Sequence, residues 1–210
     1  MPNIAILDTK SANFHSVKKA VDLFDTDNEI TSSRDQVLRS KGLIIPGVSS
    51  TDTVLNNIYE SELDKTILEF YELGKPILCI CVGMQILFET SEEGKLPGLS
   101  IIEGKVIRIP EFDNNKNNYK IPHMGWNQLE ISKDSNLFSE IENKTDFYFV
   151  HSYQCVPKDK KIITSITNYS NNIVASIEKN NLYAVQFHPE KSSNIGLKIY
   201  ENFINLTRKN

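Results

Sequence analysis

The residues most capable of chemistry in this chain lie around Cys81. An apolar run at residues 76–80 leads directly into it, and a run with helical spacing, 82–88, follows it. A strand that passes through a tight turn into a helix lifts the side chain at the junction clear of the sheet. The N–H groups and dipole at the start of that helix stabilise a thiolate, the reactive form of cysteine. The segment therefore predicts that Cys81 is a nucleophile, with Gly83 leaving space beside it.

A nucleophilic thiol needs a base, and the base needs a group that orients it. Of the four histidines in the chain, only His188 is followed by a proline and then by an acid, Glu190. The proline restricts His188 to an extended conformation, from which Glu190 is able to reach the imidazole. The sequence predicts a triad of Cys81, His188 and Glu190.

Two other interpretations of the cysteine segment fit its surroundings less well. A cysteine in an apolar run is often only a buried core residue, but the strand–turn–helix context of Cys81 favours a nucleophile. A zinc site at Cys79 and Cys81 is disfavoured because the spacing does not match a zinc knuckle and no second Cys/His pair accompanies it. The sequence predicts neither a metal nor a cofactor.

The elements that must position these residues alternate in the first half of the chain. Apolar runs predict strands at residues 3–7, 42–45 and 76–80, and amphipathic runs predict helices at 16–24, 63–71 and 82–88. A turn at Pro46-Gly47 closes the second strand, and Gly74 stops the second helix. Strands that alternate with helices predict an α/β fold with a mainly parallel central sheet flanked by helices.

The second half of the chain changes character. Short strand-like runs separated by polar residues and glycine occur at residues 101–109, 128–131, 147–150, 162–169, 173–178 and 182–186. They predict an antiparallel extension of the sheet, interrupted by a solvated Asn-rich loop at 111–120 and followed by a helix at 195–206. Because no repeat and no linker is visible, we expect residues 1–210 to form a single domain.

Composition and charge narrow the class of protein. The 210 residues are 40% hydrophobic and 24% charged, as in an ordinary soluble protein, and 23 basic against 27 acidic residues give a net charge of −4. No basic stripe is present, which argues against a nucleic-acid partner. The sequence shows neither a signal peptide nor a run of roughly 18 apolar residues, so no membrane partner is predicted. Three cysteines, an odd number, favour reduced thiols and hence the cytoplasm.

The order of these motifs resembles the class I, triad-type glutamine amidotransferases. The chain is most similar to HisH, the family of glutaminase subunits of imidazole glycerol phosphate synthase, of which the His-Met-Gly-Trp-Asn run at 123–127 is more diagnostic than the triad. The resemblance covers nearly the whole chain and rests on residues 80–85, 88–89, 91–94, 104–106, 122–127, 148–153 and 186–192. It implies a flavodoxin-like amidotransferase fold.

The resemblance also implies the reaction. Cys81 would attack the side-chain carbonyl of L-glutamine, His188 would move the proton, Glu190 would fix the imidazole, and the thioester would be hydrolysed to glutamate. Two further sets of residues match positions that act on the substrate. The first set would form the oxyanion hole and consists of Val82, Val48 and Gly47. The second set would hold the amino-acid end of glutamine and consists of Gln85, Glu93 and Ser152.

A partner is implied in the same way. In the family, ammonia passes through an internal channel to a TIM-barrel synthase subunit, with which the glutaminase forms a heterodimer. The residues that match the surface facing this partner are His123, Trp126, Asn127, Tyr148 and Lys191. For Trp126 and Tyr148, packing in the core is an equally consistent interpretation.

Three positions depart from the family pattern. Cys79 stands where glycine usually precedes the nucleophile by two residues, and Ser49 replaces the last glycine of Pro-Gly-Val-Gly. The loop at 9–13 keeps only the asparagine of a Gly-rich motif. A Cβ at Ser49 restricts a peptide flip in the oxyanion turn. These changes raise the hypothesis of a divergent paralogue that supplies ammonia to a related barrel in sugar or surface-polysaccharide amination.

Two other functions are compatible with the same residues. A non-catalytic regulatory subunit would explain the lost glycines, although the intact triad argues against it. A γ-glutamyl hydrolase that acts alone would have a high glutaminase rate without any partner, whereas an amidotransferase would have a low basal rate.

Overall fold

The structure, a computed structural model, describes residues 3–10 and 14–208. Its main feature is an eight-stranded sheet whose strands, numbered along the chain, lie in the spatial order β2 (Asn28–Thr31), β1 (Ile4–Leu7), β3 (Gly42–Gly47), β4 (Ile77–Cys81), β13 (Leu182–Val185), β12 (Asn172–Lys179), β11 (Ile163–Asn168) and β8 (Glu130–Ile131). The first five strands are parallel, and the last three continue the sheet in antiparallel fashion. The predicted α/β fold is confirmed, including its antiparallel extension.

Helices connect and flank these strands. Those in the described residues are α1 (Phe14–Asp22), α2 (Arg34–Arg39), α3 (Thr51–Glu60), α4 (Leu63–Glu72), α5 (Val82–Gln85) and α6 (Ser193–Arg208). Helix α1 contacts α6, whereas α2 and α3 contact α4. Helix α4 shows why such segments fold: Leu63, Ile67 and Phe70 recur at helical spacing and are buried on one face. Gly74, with φ +73°, then ends the helix in the left-handed conformation.

Two smaller sheets carry the rest of the second half. Strands β5 (Phe88–Ser91), β6 (Ile102–Arg108) and β10 (Tyr153–Pro157) form one, and β7 (His123–Gln128) pairs with β9 (Asp146–His151) in the other. The predicted strand at 128–131 is therefore divided, because Gln128 ends β7 and β8 begins at Glu130. Residues 111–120 are mostly exposed, as predicted for a solvated loop.

The helix predicted at 82–88 is wrong beyond its first turn. Helix α5 ends at Gln85, and strand β5 begins at Phe88. The carbonyl of Ile86 accepts a hydrogen bond from the N–H of Leu99, and that of Leu87 accepts one from Ile102. These long-range bonds replace the continuation of the helix. The apolar run 86–88 is buried in either conformation, so its composition could not distinguish a helix from a strand.

The centre of the large sheet sets the position of the site. Strand β4 lies between β3 and β13, with Gly47 opposite Cys81 and Val185 opposite Ile80. Because the three strands are parallel, their carboxyl ends meet at one edge. The turn after β3, the residue Cys81 and the segment 186–190 therefore converge at that edge, where α/β sheets commonly bind their ligands.

Candidate active site

The junction of β4 and α5 holds Cys81 in a strained backbone conformation. Cys81 has φ 55° and ψ −110°, a combination that residues with side chains rarely adopt. Two glycines allow the backbone segments around Cys81 to approach closely. A methyl group on Gly83 would lie 2.1 Å from the carbonyl oxygen of Ile45, and one on Gly47 would lie 2.8 Å from the Gly83 nitrogen. The turn after β3 thus packs directly against the start of α5, as the nucleophile elbow requires.

The segment after β13 places His188 and Glu190 beside Cys81. His188 Nδ1 lies 2.8 Å from Glu190 Oε1, and both side chains are only 2% exposed. The His188 backbone is fixed at both ends, since its N–H donates to the Tyr148 carbonyl at 2.9 Å and its carbonyl accepts from Ser192 Oγ at 2.7 Å. The imidazole is therefore presented in one orientation.

Electrostatics favour the protonated form of His188. Burial lowers the pKa of His188, but the charge and hydrogen bonding of Cys81 and of Glu190 outweigh burial and raise it overall. Tyr200 of α6 reaches the other carboxylate oxygen of Glu190, with Oη 3.5 Å from Oε2. An imidazolium next to a thiolate is the charge state in which a cysteine attacks a carbonyl.

A cavity of about 370 Å³ opens over these residues. Its lining includes the catalytic candidates Cys81 and His188 and the three residues expected to hold glutamine, Gln85, Glu93 and Ser152. Val48 and Val82, two of the three oxyanion candidates, also line it. The third candidate, Gly47, is buried directly beneath, opposite Cys81 in the sheet register. Glu190 is likewise behind the wall, in contact with His188.

Gln85 presents an acceptor to the cavity. One N–H of its amide donates to the Tyr153 carbonyl at 3.3 Å, and the other donates to Gln186 Oε1 at 3.1 Å. Since both donors are used, the Gln85 carbonyl oxygen remains for a ligand, and it accepts no hydrogen bond from the described residues. Glu93 is held near by, with Oε2 accepting from the Thr51 N–H at 2.7 Å. A carboxylate and an amide oxygen in one cavity suit the ammonium group of an amino acid.

Comparison with known proteins identifies the family. The family Glutamine amidotransferase class-I matches residues 6–206. The chain belongs to the class-I glutamine amidotransferases. It is a glutamine-hydrolysing enzyme, as the resemblance of its motifs implied.

Relatives agree with this family, and a solved structure shares the fold. The chain is 42% identical to the imidazole glycerol phosphate synthase subunit HisH of Moorella thermoacetica, over 99% of this chain and 97% of the relative. It is 43% identical to the protein of the same name from Methanocaldococcus jannaschii, over 97% and 99% of the two chains. The solved structure of PurLQS from Thermotoga maritima covers 98% of this chain and 99% of its own, with a TM-score of 0.74 and 18% identity, a likeness of fold alone.

One surface of this amidotransferase runs from the cavity along the β7–β9 pair. Trp126 and Met124 project from β7 with 53% and 61% exposure, and Trp126 contacts Tyr148 of β9 at a ring separation of 6.1 Å. Lys191 lines the cavity and places Nζ 5.9 Å from the centre of the Tyr148 ring. Trp126 is therefore a surface residue rather than a core residue, and Tyr148 is half-buried beside it. We call Met124, Trp126, Tyr148 and Lys191 the aromatic face.

His123 differs from the expectation that it lies on a partner surface. It is 2% exposed, and its ring stacks between Phe149 and Tyr169. Strand β7 alternates its side chains, so His123 points inward where Met124 and Trp126 point outward. His123 therefore packs on the inner side of β7, opposite the aromatic face. Asn127, which is half-buried, joins it through a hydrogen bond of 3.2 Å to His123 Nε2.

His123 and His151 form a buried pair with defined tautomers. His151 Nδ1 lies 2.7 Å from the Tyr153 carbonyl, and His151 Nε2 lies 3.0 Å from His123 Nδ1. Because a carbonyl only accepts, His151 carries its proton on Nδ1, and its Nε2 accepts from His123. Burial lowers the pKa of His123 to about 4 and that of His151 to about 3. Both histidines are neutral. They connect strands β7 and β9 to the cavity, because His151 lines it.

The three departures from the family pattern lie in different surroundings. Cys79 is fully buried in β4, and burial raises the pKa of its thiol, so it is an inert core residue. Ser49 lines the cavity with a buried Oγ that has no hydrogen-bond partner in the described part of the chain. Of the altered loop at 9–13, residues 11–13 lie outside the described residues.

Several site residues were not assigned a role from the sequence. Gln186, His151, Ser192 and Tyr200 each contact a candidate catalytic or cavity residue. Gln186 had a local signal, since it stands two positions before His188 on the same extended segment. The others reach the site only through the fold. In residues 3–10 and 14–208, no helix is long and apolar enough to cross a membrane, and no cluster of three His, Cys, Asp or Glu residues could hold a metal.

Proposed function

We propose that this chain is the glutaminase subunit of an imidazole glycerol phosphate synthase, with residues 1–210 acting as one domain. The observation that carries the proposal is the convergence of Cys81, His188 and Glu190 at a cavity that could hold glutamine. Near full-length identity of about 42% to proteins named HisH supports the assignment to the histidine pathway. Three free cysteines support a reducing compartment, the cytoplasm.

Glutamine is bound with its amino-acid end at Gln85, Glu93 and Ser152. The Gln85 amide oxygen and the Glu93 carboxylate accept hydrogen bonds from the ammonium group, and the backbone near Ser152 donates hydrogen bonds to the carboxylate. In this orientation the side-chain amide reaches the other end of the cavity, next to Cys81. A hydrolase that binds both charged groups of free glutamine in this way discriminates against glutamine in a peptide, which lacks the free ammonium group, the free carboxylate or both.

Hydrolysis proceeds in two steps at Cys81. The thiolate attacks the amide carbonyl carbon, and the N–H groups of Val82 and of the Gly47–Val48 turn stabilise the resulting oxyanion, each donor contributing about 2.7–4 kcal/mol. The protonated His188 gives its proton to the amide nitrogen, the C–N bond breaks, and ammonia leaves a thioester on Cys81. Water then attacks the thioester as His188 accepts its proton, and glutamate and the free thiolate are regenerated.

The aromatic face is the docking surface for the synthase partner. Two large apolar side chains of β7 are more than half exposed, and Tyr148 connects them to Lys191 of the cavity lining. Such an exposed apolar patch marks a protein interface. A TIM-barrel subunit seated there would cover the mouth of the cavity. Ammonia would then pass into the partner rather than into water.

The proposal is tested by the glutaminase rate of the full chain with and without the histidine-pathway barrel subunit of the same organism. We expect a low basal rate that rises when the partner and its substrate are added. A high rate without the partner would instead indicate a hydrolase that acts alone. Stimulation only by a barrel subunit of sugar amination would establish the paralogue and overturn the histidine-pathway assignment.

A further inference from the structure

Gln186 contacts the nucleophile directly. It follows β13, is completely buried, and places Nε2 3.6 Å from the sulfur of Cys81. Its main chain is anchored to β12 by a hydrogen bond of 2.8 Å from its N–H to the Ala175 carbonyl. The effect of this amide on the Cys81 sulfur depends on which end faces it, because an amide nitrogen donates a hydrogen bond and an amide oxygen accepts one.

The orientation of this amide is determined by its neighbours. The Tyr153 carbonyl is an acceptor only, so Gln85 must turn its NH₂ group toward it. The same NH₂ group donates to Gln186 Oε1 at 3.1 Å, which fixes the oxygen of Gln186 on that side. The NH₂ group of Gln186 is thereby left facing Cys81. The same Tyr153 carbonyl also accepts from His151 Nδ1–H at 2.7 Å.

We propose that Gln186 is a positioning residue that donates a hydrogen bond to the Cys81 thiolate and links it to Gln85. A donor aimed at sulfur stabilises the thiolate more than the neutral thiol. The link also ties the nucleophile to the residue at the amino-acid end of the cavity, so the two ends of bound glutamine are set by one continuous set of hydrogen bonds. This inference rests on the proposed glutaminase function, but its test does not.

The test measures the pH dependence of Cys81 alkylation by iodoacetamide, a small neutral reagent that does not need the glutamine site. The full chain is treated across a pH series, and peptide mass spectrometry separates Cys81 from Cys79 and Cys155. Both other thiols are buried, and burial raises the pKa of each. Gln186→Met removes the donor at nearly equal volume. We expect the midpoint of alkylation to move up by about one pH unit, a tenfold slower reaction below the midpoint.

A matched control is available in Gln154. It is also a buried glutamine, at 3% exposure, but its Nε2 has no hydrogen-bond partner in residues 3–10 and 14–208. Gln154→Met should leave the alkylation midpoint unchanged. If Gln186→Met fails to fold, Gln85→Met serves instead. It leaves Gln186 in place but frees its amide to rotate, and we expect a smaller upward movement.

The outcomes separate the inference from the proposed function. An unchanged midpoint in folded Gln186→Met, or in Gln85→Met where the first variant is unfolded, overturns the positioning role even if glutaminase activity is present. A raised midpoint in a chain that hydrolyses no glutamine with its partner supports the contact and contradicts the proposed function. In an active enzyme, Gln186→Met should lower kcat far more than it raises KM for glutamine.

Discussion

His188 Nδ1 lies 2.8 Å from Glu190 Oε1, with His188 in the cavity wall and Glu190 buried behind it. This pair joins the proposed triad to the rest of the fold. The Tyr148 carbonyl and Ser192 Oγ hold the His188 backbone, while Tyr200 of α6 reaches the carboxylate. The imidazole therefore depends on three separate parts of the chain for its orientation and on Glu190 for its charge.

Replacing Glu190 by glutamine should lower the glutaminase kcat by about 100-fold or more, with little change in KM, because the imidazolium loses its counter-charge but the amino-acid end of the cavity is untouched. Steady-state kinetics with the partner present measure both values. Glu103→Gln is the control, since it breaks only an exposed ion pair with Lys158. A Glu190→Gln enzyme with the kcat of the wild type would contradict the assigned role.

Gly83→Ala should disrupt the elbow. The added methyl group would lie 2.1 Å from the Ile45 carbonyl oxygen, so β3 and α5 must separate, at a cost of about 1–3 kcal/mol in the free energy of unfolding. Glutaminase activity should fall with it, because the turn proposed to stabilise the oxyanion is next to Cys81. In Gly74→Ala the methyl group meets no atom within 4 Å, although φ is +73°. That control should lose some stability and keep its activity. Equal activity in the two variants would show that the close approach is not required.

The buried histidine pair should make the protein less stable as the pH falls from about 6.5 to about 4. Burial lowers the pKa of His123 to about 4 and of His151 to about 3, so the unfolded chain takes up protons first. His188 has its pKa raised and is protonated in both states below about 6.5, so its contribution is constant in this window and declines only at higher pH.

The measurement is the free energy of unfolding by denaturant across that pH range. His123→Gln keeps a donor for His151 and an acceptor for Asn127 but does not titrate, so its stability should depend less steeply on pH. His15→Gln, an exposed change on α1, is the control and should retain the slope of the wild type. Equal slopes in the wild type and in His123→Gln would show that His123 does not titrate on unfolding.

Trp126→Ala should weaken binding of the barrel partner by about tenfold or more, because exposed tryptophans at interfaces commonly dominate the binding energy. Stability should be unchanged, since the side chain is 53% exposed. Calorimetry with the purified partner measures the Kd. Leu73→Ala removes a side chain of similar exposure at the end of α4, near the start of β4 and so away from the cavity edge. A loss of affinity in Leu73→Ala but not in Trp126→Ala would place the interface elsewhere.

Several strands and helices with clear periodicity were predicted from the sequence, but helix α3, which buries Val54, Leu55 and Ile58 at helical spacing, was not. The runs at 42–45, 63–71, 173–178 and 195–206 each fall within an observed element. The short helix α2 and strand β2 were not predicted, because β2 is only partly buried and α2 buries only Val37. Strand β10 was missed for a different reason. Its pairing with β6 is with a distant part of the chain, which no local pattern reveals.

The site was more predictable at its centre than at its edges. Cys81, His188 and Glu190 lie in local motifs, so their types and spacing were enough to nominate them. The direction in which His123 points was not predicted, since it depends on the register of β7 against β9. Gln186 stands close to His188 in the sequence, but its contact with Cys81, 105 residues away in the chain, depends on the sheet. Contacts of that kind are set by topology.

The most direct test of the central claim is the site of covalent attachment of a diazoketone analogue of glutamine. The full chain, with and without its barrel partner, is incubated with the analogue and digested, and the mass of each cysteine-containing peptide is measured. We expect one adduct per chain, on Cys81, which excess glutamine prevents and His188→Asn slows. An adduct on Cys79 or Cys155, or none on Cys81 in either sample, would contradict it.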